Sequence, residues 1–160
     1  MEPTSRKYLF FDLDGTLTDS MPGIARAVQY ALRRFGIDVQ DLAALKPFLG
    51  PPLRDSFMEF YGMSPEEADR AVAVSREYFV PRGMFENELY PGIPELLHAL
   101  AERGLKLAVL SNKPDADTKN VISHFFPDVP FSVVRGQVEG VPVKPDKAGA
   151  LLVAEQLGIA

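Results

Sequence analysis

The sequence has no cysteine, which excludes disulfides, zinc–thiolate sites and cysteine nucleophiles and fits a reducing cytoplasm. It has no run of lysine and arginine, and its 22 acids outnumber its 17 bases for a net charge of −5. There is thus no electrostatic case for nucleic acid or an anionic membrane as a partner. No apolar stretch approaches the ~20 residues of a membrane span, and the opening MEPTSRKYLFFDLD lacks the apolar core of a secretory signal. Internal repeats and low-complexity tracts are lacking too. What is there is an ordinary globular composition, 160 residues of which 46% are hydrophobic and 24% charged. That is the size of one domain, or of one domain with a small insertion, able to bury ~70% of the surface of its unfolded chain.

Three short apolar runs read as strands: KYLFFDL (7–13), LKLAVLS (105–111) and FSVVRG (131–136). Their near-continuous apolar character is that of strands covered on both faces. PGIPELLHALAERG, with Leu96, Leu97 and Leu100 and a stop at Gly104, precedes the second run. DADTKNVISHFF, with Val121, Ile122 and Phe125 at helical spacing, separates the second from the third. Strand alternating with helix predicts an α/β fold with a doubly wound parallel sheet.

The first strand is not followed by an ordinary crossover. Between Leu17 and Glu88 lie about 70 residues without a strand-like run, where such connections usually take 2–6. They read as helices. In SMPGIARAVQYALRRFGI the positions Ile24, Val28, Ala31, Leu32 and Phe35 form one stripe, and SPEEADRAVAVSREYF opens with Ser64 and Glu67 in capping-box spacing. A helical subdomain over 17–88 is therefore expected, inserted into an α/β core of 1–16 and 89–160, with Pro22/Gly23 and Pro91/Gly92 near its hinges. Phe57, Phe60 and Tyr61 read as that subdomain's core, and His98 and His124 as ordinary helix residues. DKAGALLVAEQLGIA reads as a last helix, stopping at Gly158.

The chemistry lies in FFDLDGTLTDS (10–20). In a strand, positions 12 and 14 share a side, so Asp12 and Asp14 would converge just past the strand's carboxyl end, where ligands bind in such sheets. Two carboxylates that close repel. A cation between them, or a division in which one is ionised and the other protonated, would relieve the repulsion. Metal ligand, nucleophile and cap of the following Asp-Gly turn are all open to Asp12. Gly15 would supply the tight turn and Thr16 a hydroxyl donor.

The DxDGT pattern resembles the first motif of the haloacid dehalogenase superfamily of phosphohydrolases. Ser111 and Asn112 in VLSNKP match its second motif, and Lys144 in PVKPDKAG its third. YPGIPELLHALAERGLKLAVLSNKP and LGPPLRDSF are similar to the phosphoglycolate-phosphatase-like branch, which carries a helical cap at the insertion inferred above. The resemblance implies that Asp12 attacks phosphorus to form an aspartyl-phosphate and that Asp14 handles the proton of the leaving group and then of water. It implies a Mg²⁺ ion held by the Asp12 carboxylate and the Asp14 backbone carbonyl. Ser111, backbone amides near Asn112 and the Thr16 hydroxyl would serve the phosphoryl oxygens, with Lys144 as a neutralising charge. Aspartate at position 14 favours a phosphate ester over a carbon–halogen bond, since the leaving oxygen needs a proton. Substrate choice would lie in the cap, where Gly50 and Arg54 of GPPLR could grip an anionic group.

The family's fourth motif, an acidic pair after a fourth strand, would begin just past Ala160. The expectation is therefore an incomplete core in part of a longer chain, with a weakened metal site. The first strand's edge would then be left open to strand exchange or a homo-oligomer. Three functions follow: a Mg²⁺-dependent phosphatase of a small phosphorylated metabolite, a sugar-phosphate mutase of the same fold, or an inactive chain acting only in binding or assembly.

Overall fold

The computed structural model describes residues 7–159. In chain order its elements are β1 (Tyr8–Phe11), β2 (Thr18–Asp19), α1 (Met21–Arg34), α2 (Leu53–Tyr61), α3 (Pro65–Phe79), β3 (Glu88–Leu89), α4 (Ile93–Glu102), β4 (Lys106–Pro114), α5 (Asp115–Phe125), β5 (Phe131–Gln137) and α6 (Ala148–Gln156). Single 3₁₀ segments lie at Leu42–Phe48 and Gly83–Phe85. The chain folds as two compact units, an α/β unit that runs to Asp19 and resumes at Leu89, and a helical unit of Ser20–Glu88.

The α/β unit is built on a parallel sheet in the order β1-β4-β5. Tyr8 stands opposite Lys106 and Phe11 opposite Val109, while β4 meets β5 from Leu107 and Phe131 onward with register shifts near both ends. Helices α4, α5 and α6 lie over β4 and β5. Leu97, Leu107, Ala108, Val109, Val121 and Val153 are fully buried between these layers. The apolar run of β4 is explained by burial on both faces.

For β1 the expectation of two covered faces fails. It is the edge strand, and Tyr8 and Phe10, on one of its faces, are 37% and 39% exposed. Helices that pack over β4 and β5 do not shield the outer strand, so an apolar run here marks an open face. β1 is also shorter than KYLFFDL implied. It stops at Phe11, and Asp12–Asp14 lie beyond it in a turn.

In the helical unit α1 buries Ala25, Val28, Ala31 and Leu32 against Leu45, Phe48, Phe57, Ala68 and Ala71. α3 begins with the expected capping box: Glu67 N–H donates to Ser64 Oγ (3.2 Å), and Ser64 N–H to Glu67 Oε2 (2.9 Å). Gly23 of α1 meets the 83–85 segment so closely that a Cβ would fall 1.8 Å from the Gly83 carbonyl oxygen. Phe57 is buried edge-on to Phe48, as expected of a core residue, whereas Phe60 is 43% exposed and covers Phe48 from outside. The short strands β2 and β3 pair with each other in a stretch that reads as strandless, and there the chain passes from one unit to the other.

Candidate active site

The turn after β1 is organised around Leu13, which is fully buried. Its carbonyl accepts the N–H groups of Thr16 (3.1 Å), Leu17 (2.9 Å) and Thr18 (3.3 Å). Gly15 closes the turn with φ 78° and donates its N–H to the Thr18 carbonyl at 2.8 Å. Only glycine adopts that φ without strain. Asp12 and Asp14 thus flank an apolar anchor, and their proximity comes from this turn, not from strand alternation. Thr16 lies exposed on the turn.

Each aspartate has its own lysine. Lys144 Nζ lies 2.9 Å from Asp12 Oδ1, which also accepts the Leu13 N–H at 2.8 Å. Asp12 Oδ2 takes neither contact, in a side chain 46% exposed. Lys144 Nζ also donates to the Leu110 carbonyl at 2.9 Å. The loop that carries Lys144 is clamped at two points by Asn112, whose Oδ1 accepts the Lys144 N–H (2.8 Å) and whose Nδ2 donates to the Lys144 carbonyl (3.1 Å). The Asn112 amide is therefore committed to holding Lys144 in place.

Lys113, which the motif reading passed over, lies 3.2 Å from Asp14 Oδ2 with only 6% of its side chain exposed. The signal that could have found it is parity. β4 runs on through Pro114, so residues 111 and 113 share a face, and Ser111 and Lys113 are the inward pair while Asn112 and Pro114 are exposed. Ser111 Oγ accepts the Lys113 N–H at 3.1 Å, which leaves its hydroxyl hydrogen uncommitted to that bond. Asp14 Oδ1 is buried and, among the described residues, has no hydrogen-bond partner.

The β4–α5 corner is held by Asp115. Its Oδ1 accepts the Gly136 N–H at 2.8 Å and its Oδ2 meets Lys119 Nζ at 2.7 Å. Burial alone would push this carboxyl up, but the Lys119 ammonium and the Gly136 N–H, helped by the charge of Arg135, outweigh it and hold the group below the usual carboxylate range. Asp115 thus does more than open α5. It ties α5 to β5.

Gly50 and Arg54 belong to the helical unit. Gly50 has φ 107°, and the Arg54 Nε is engaged by Asp69 Oδ1 at 2.7 Å, with both side chains well exposed. Among the described residues no three His, Cys, Asp or Glu side chains gather as a metal cluster. The donors expected for Mg²⁺, the Asp12 carboxylate and the Asp14 carbonyl, are hard oxygens. They suit a cation that keeps several waters and takes one or two carboxylates.

A parallel α/β sheet with paired aspartates past its first strand, a lysine brought to each, and a helical insertion just after them defines a Rossmann-like protein with its site at the carboxyl edge of the sheet. The chain belongs to the haloacid dehalogenase-like hydrolase family, whose model matches residues 9–160. A 5'-nucleotidase of Pseudomonas aeruginosa is 48% identical over 80% of this chain and 58% of its own length. The tyrosine-protein kinase PtkA of Mycobacterium tuberculosis is 33% identical over 82% of this chain and 45% of its own. A phosphoglycolate phosphatase of Rhodospirillum rubrum is 30% identical over 96% of this chain and 67% of its own. The crystal structure of a predicted phosphatase from Clostridium acetobutylicum superposes with a TM-score of 0.82 at 41% identity, covering 96% of this chain and 71% of that one. The chain thus spans 45–67% of the length of these curated relatives. No helix among the described residues is long and apolar enough to cross a membrane.

Proposed function

We propose that the protein hydrolyses a small phosphomonoester through an aspartyl-phosphate on Asp12. The observation that carries this reading is the convergence of Asp12, Asp14, Lys113, Ser111 and Lys144 at one sheet edge, from three separate stretches of chain. Asp12 Oδ2 is the attacking atom, because Oδ1 is held by Lys144 and the Leu13 N–H. As the Oδ2–P bond forms, the bond from phosphorus to the ester oxygen breaks, and the departing alkoxide takes a proton from Asp14. Water then attacks phosphorus, yields a proton to Asp14, and releases inorganic phosphate with the Asp12 carboxylate restored. Lys144 balances the negative charge of nucleophile and phosphoryl group, and Ser111 and Thr16 offer hydroxyl donors to the phosphoryl oxygens. Asn112 serves by fixing Lys144. Mg²⁺ bound by the Asp12 carboxylate and the Asp14 carbonyl would supply further charge neutralisation.

Identity of 48% with a 5'-nucleotidase, against 30% with a phosphoglycolate phosphatase, supports a nucleoside 5'-monophosphate ahead of phosphoglycolate as the natural substrate. The test is release of inorganic phosphate from p-nitrophenyl phosphate, nucleoside 5'-monophosphates and phosphoglycolate, with and without Mg²⁺, beside Asp12→Asn. Magnesium-dependent turnover lost in the variant is expected. Turnover that survives Asp12→Asn would refute the covalent route, and a preference for phosphoglycolate would refute the substrate assignment.

A further inference from the structure

The phosphatase reading uses Asp14 as the proton donor but does not say what aims it. A carboxylate in a glycine-hinged turn is free to rotate about its side-chain torsions unless something grips it. Here the grip is specific. Lys113 lies almost entirely inside the fold, and its ammonium is 3.2 Å from Oδ2 of Asp14, whereas Oδ1 is buried and has no hydrogen-bond partner among the described residues. A long, flexible side chain with its charge inside the protein loses rotamer entropy and hydration. A surface ion pair keeps more of its hydration and rotamer freedom.

The backbone around Lys113 is itself braced. Its N–H donates to Ser111 Oγ at 3.1 Å, its carbonyl accepts the Thr118 hydroxyl at 3.2 Å, and a Cβ at Gly136 would sit 2.5 Å from that carbonyl oxygen. Strand β4, the start of α5 and β5 thus converge to hold one lysine at one carboxylate oxygen.

We infer that Lys113 is a positioning residue for Asp14: by engaging Oδ2 it fixes the direction of the carboxylate toward the leaving group. This rests on the phosphatase reading above. It gives the two lysines distinct duties. Lys144 acts on the nucleophile, and Lys113 acts through Asp14.

A misaimed proton donor matters in proportion to the basicity of the departing oxygen. An alkyl phosphate expels an alkoxide that must be protonated, whereas p-nitrophenolate departs with little help. The experiment compares kcat for ethyl phosphate and p-nitrophenyl phosphate in wild type, Lys113→Met, Lys113→Arg and, as reference, Asp14→Asn. General acid catalysis contributes about 10²–10⁴-fold, so Lys113→Met should lose about 10–100-fold on ethyl phosphate and at least tenfold less on the aryl ester. Asp14→Asn should show the same selectivity, enlarged, and Lys113→Arg should restore part of the alkyl activity. Circular dichroism confirms folding, and Lys113→Gln replaces the methionine variant if the latter does not fold. Equal loss on both esters in the folded variants would overturn the inference and leave the phosphatase reading standing. Absence of turnover in the wild type would overturn both.

Discussion

Replacing Gly136 by alanine adds one methyl group at the most crowded point of the α/β unit. Its Cβ would lie 2.5 Å from the Lys113 carbonyl oxygen, 2.5 Å from Thr118 Oγ1 and 2.6 Å from Asp115 Cα. Two of these neighbours are backbone atoms in a strand and a helix start, so no side-chain rotation relieves the overlap. β5 would have to withdraw from the β4–α5 corner. Overpacking of this kind costs about 1–3 kcal/mol. Withdrawal also breaks the bond from the Gly136 N–H to the Asp115 carboxylate, now 2.8 Å long, and hydrogen bonds to charged groups contribute about 1.5–3 kcal/mol. The sum is roughly 2.5–6 kcal/mol. At about 2–4 °C per kcal/mol for a chain of this size, melting should fall by roughly 5–24 °C. Differential scanning calorimetry on wild type and Gly136→Ala reads this directly. A fall of under about 3 °C would mean that the corner yields far more easily than close packing allows.

Other outcomes follow from the same structure. The Asp115 carboxyl is held below its unfolded value by Lys119 and the Gly136 N–H despite burial, so its contribution to stability is full above the unfolded carboxylate pKa and is lost as pH falls through the lower folded value. Urea melts of wild type and Asp115→Asn should therefore differ most near neutrality and converge in acid; a constant gap would refute this. Ser64→Ala removes half of the α3 capping box and should cost about 1 kcal/mol in the same assay. Lys144→Met should lower kcat about 10²–10³-fold on every phosphate ester, since charge is lost at the phosphoryl group itself. Arg54→Ala should raise KM for an anionic substrate while p-nitrophenyl phosphate changes little; because the Arg54–Asp69 pair is exposed, stability should change by less than about 1 kcal/mol.

The parts of this fold written in long patterns were legible. The apolar runs at 105–111 and 131–136 are strands, the stripe from Ile24 to Leu32 is a helix, and the serine–glutamate pair at 64 and 67 is a cap. Where the pattern was short or its cause lay elsewhere, reading failed. β2 and β3 are two residues each, too brief for a period of two to register. The open edge of β1 was legible, but its apolar run carries no mark of which helices cover its faces, so Tyr8 and Phe10 read as covered although they are exposed. Asp12 and Asp14 were legible as a pair, but the turn around Leu13 that sets their spacing depends on three backbone bonds to one carbonyl. Lys113 was missed because its role depends on how far β4 extends. A strand ending at Ser111 would leave it in a loop, and three more residues turn it inward.

The pairing of β2 with β3 also bears on how such a protein can be rebuilt. The chain leaves the α/β unit at Asp19 and returns at Leu89, and these residues belong to two strands that neighbour each other in one small sheet. Paired strands lie about 4.7–4.9 Å apart, so the two ends of the 20–88 segment are within reach of a very short bridge. Closing so small a gap costs little chain entropy. The helical segment is thereby an exchangeable cassette, open to removal or replacement at one seam that lies outside the stretches carrying Asp12, Asp14, Lys113 and Lys144.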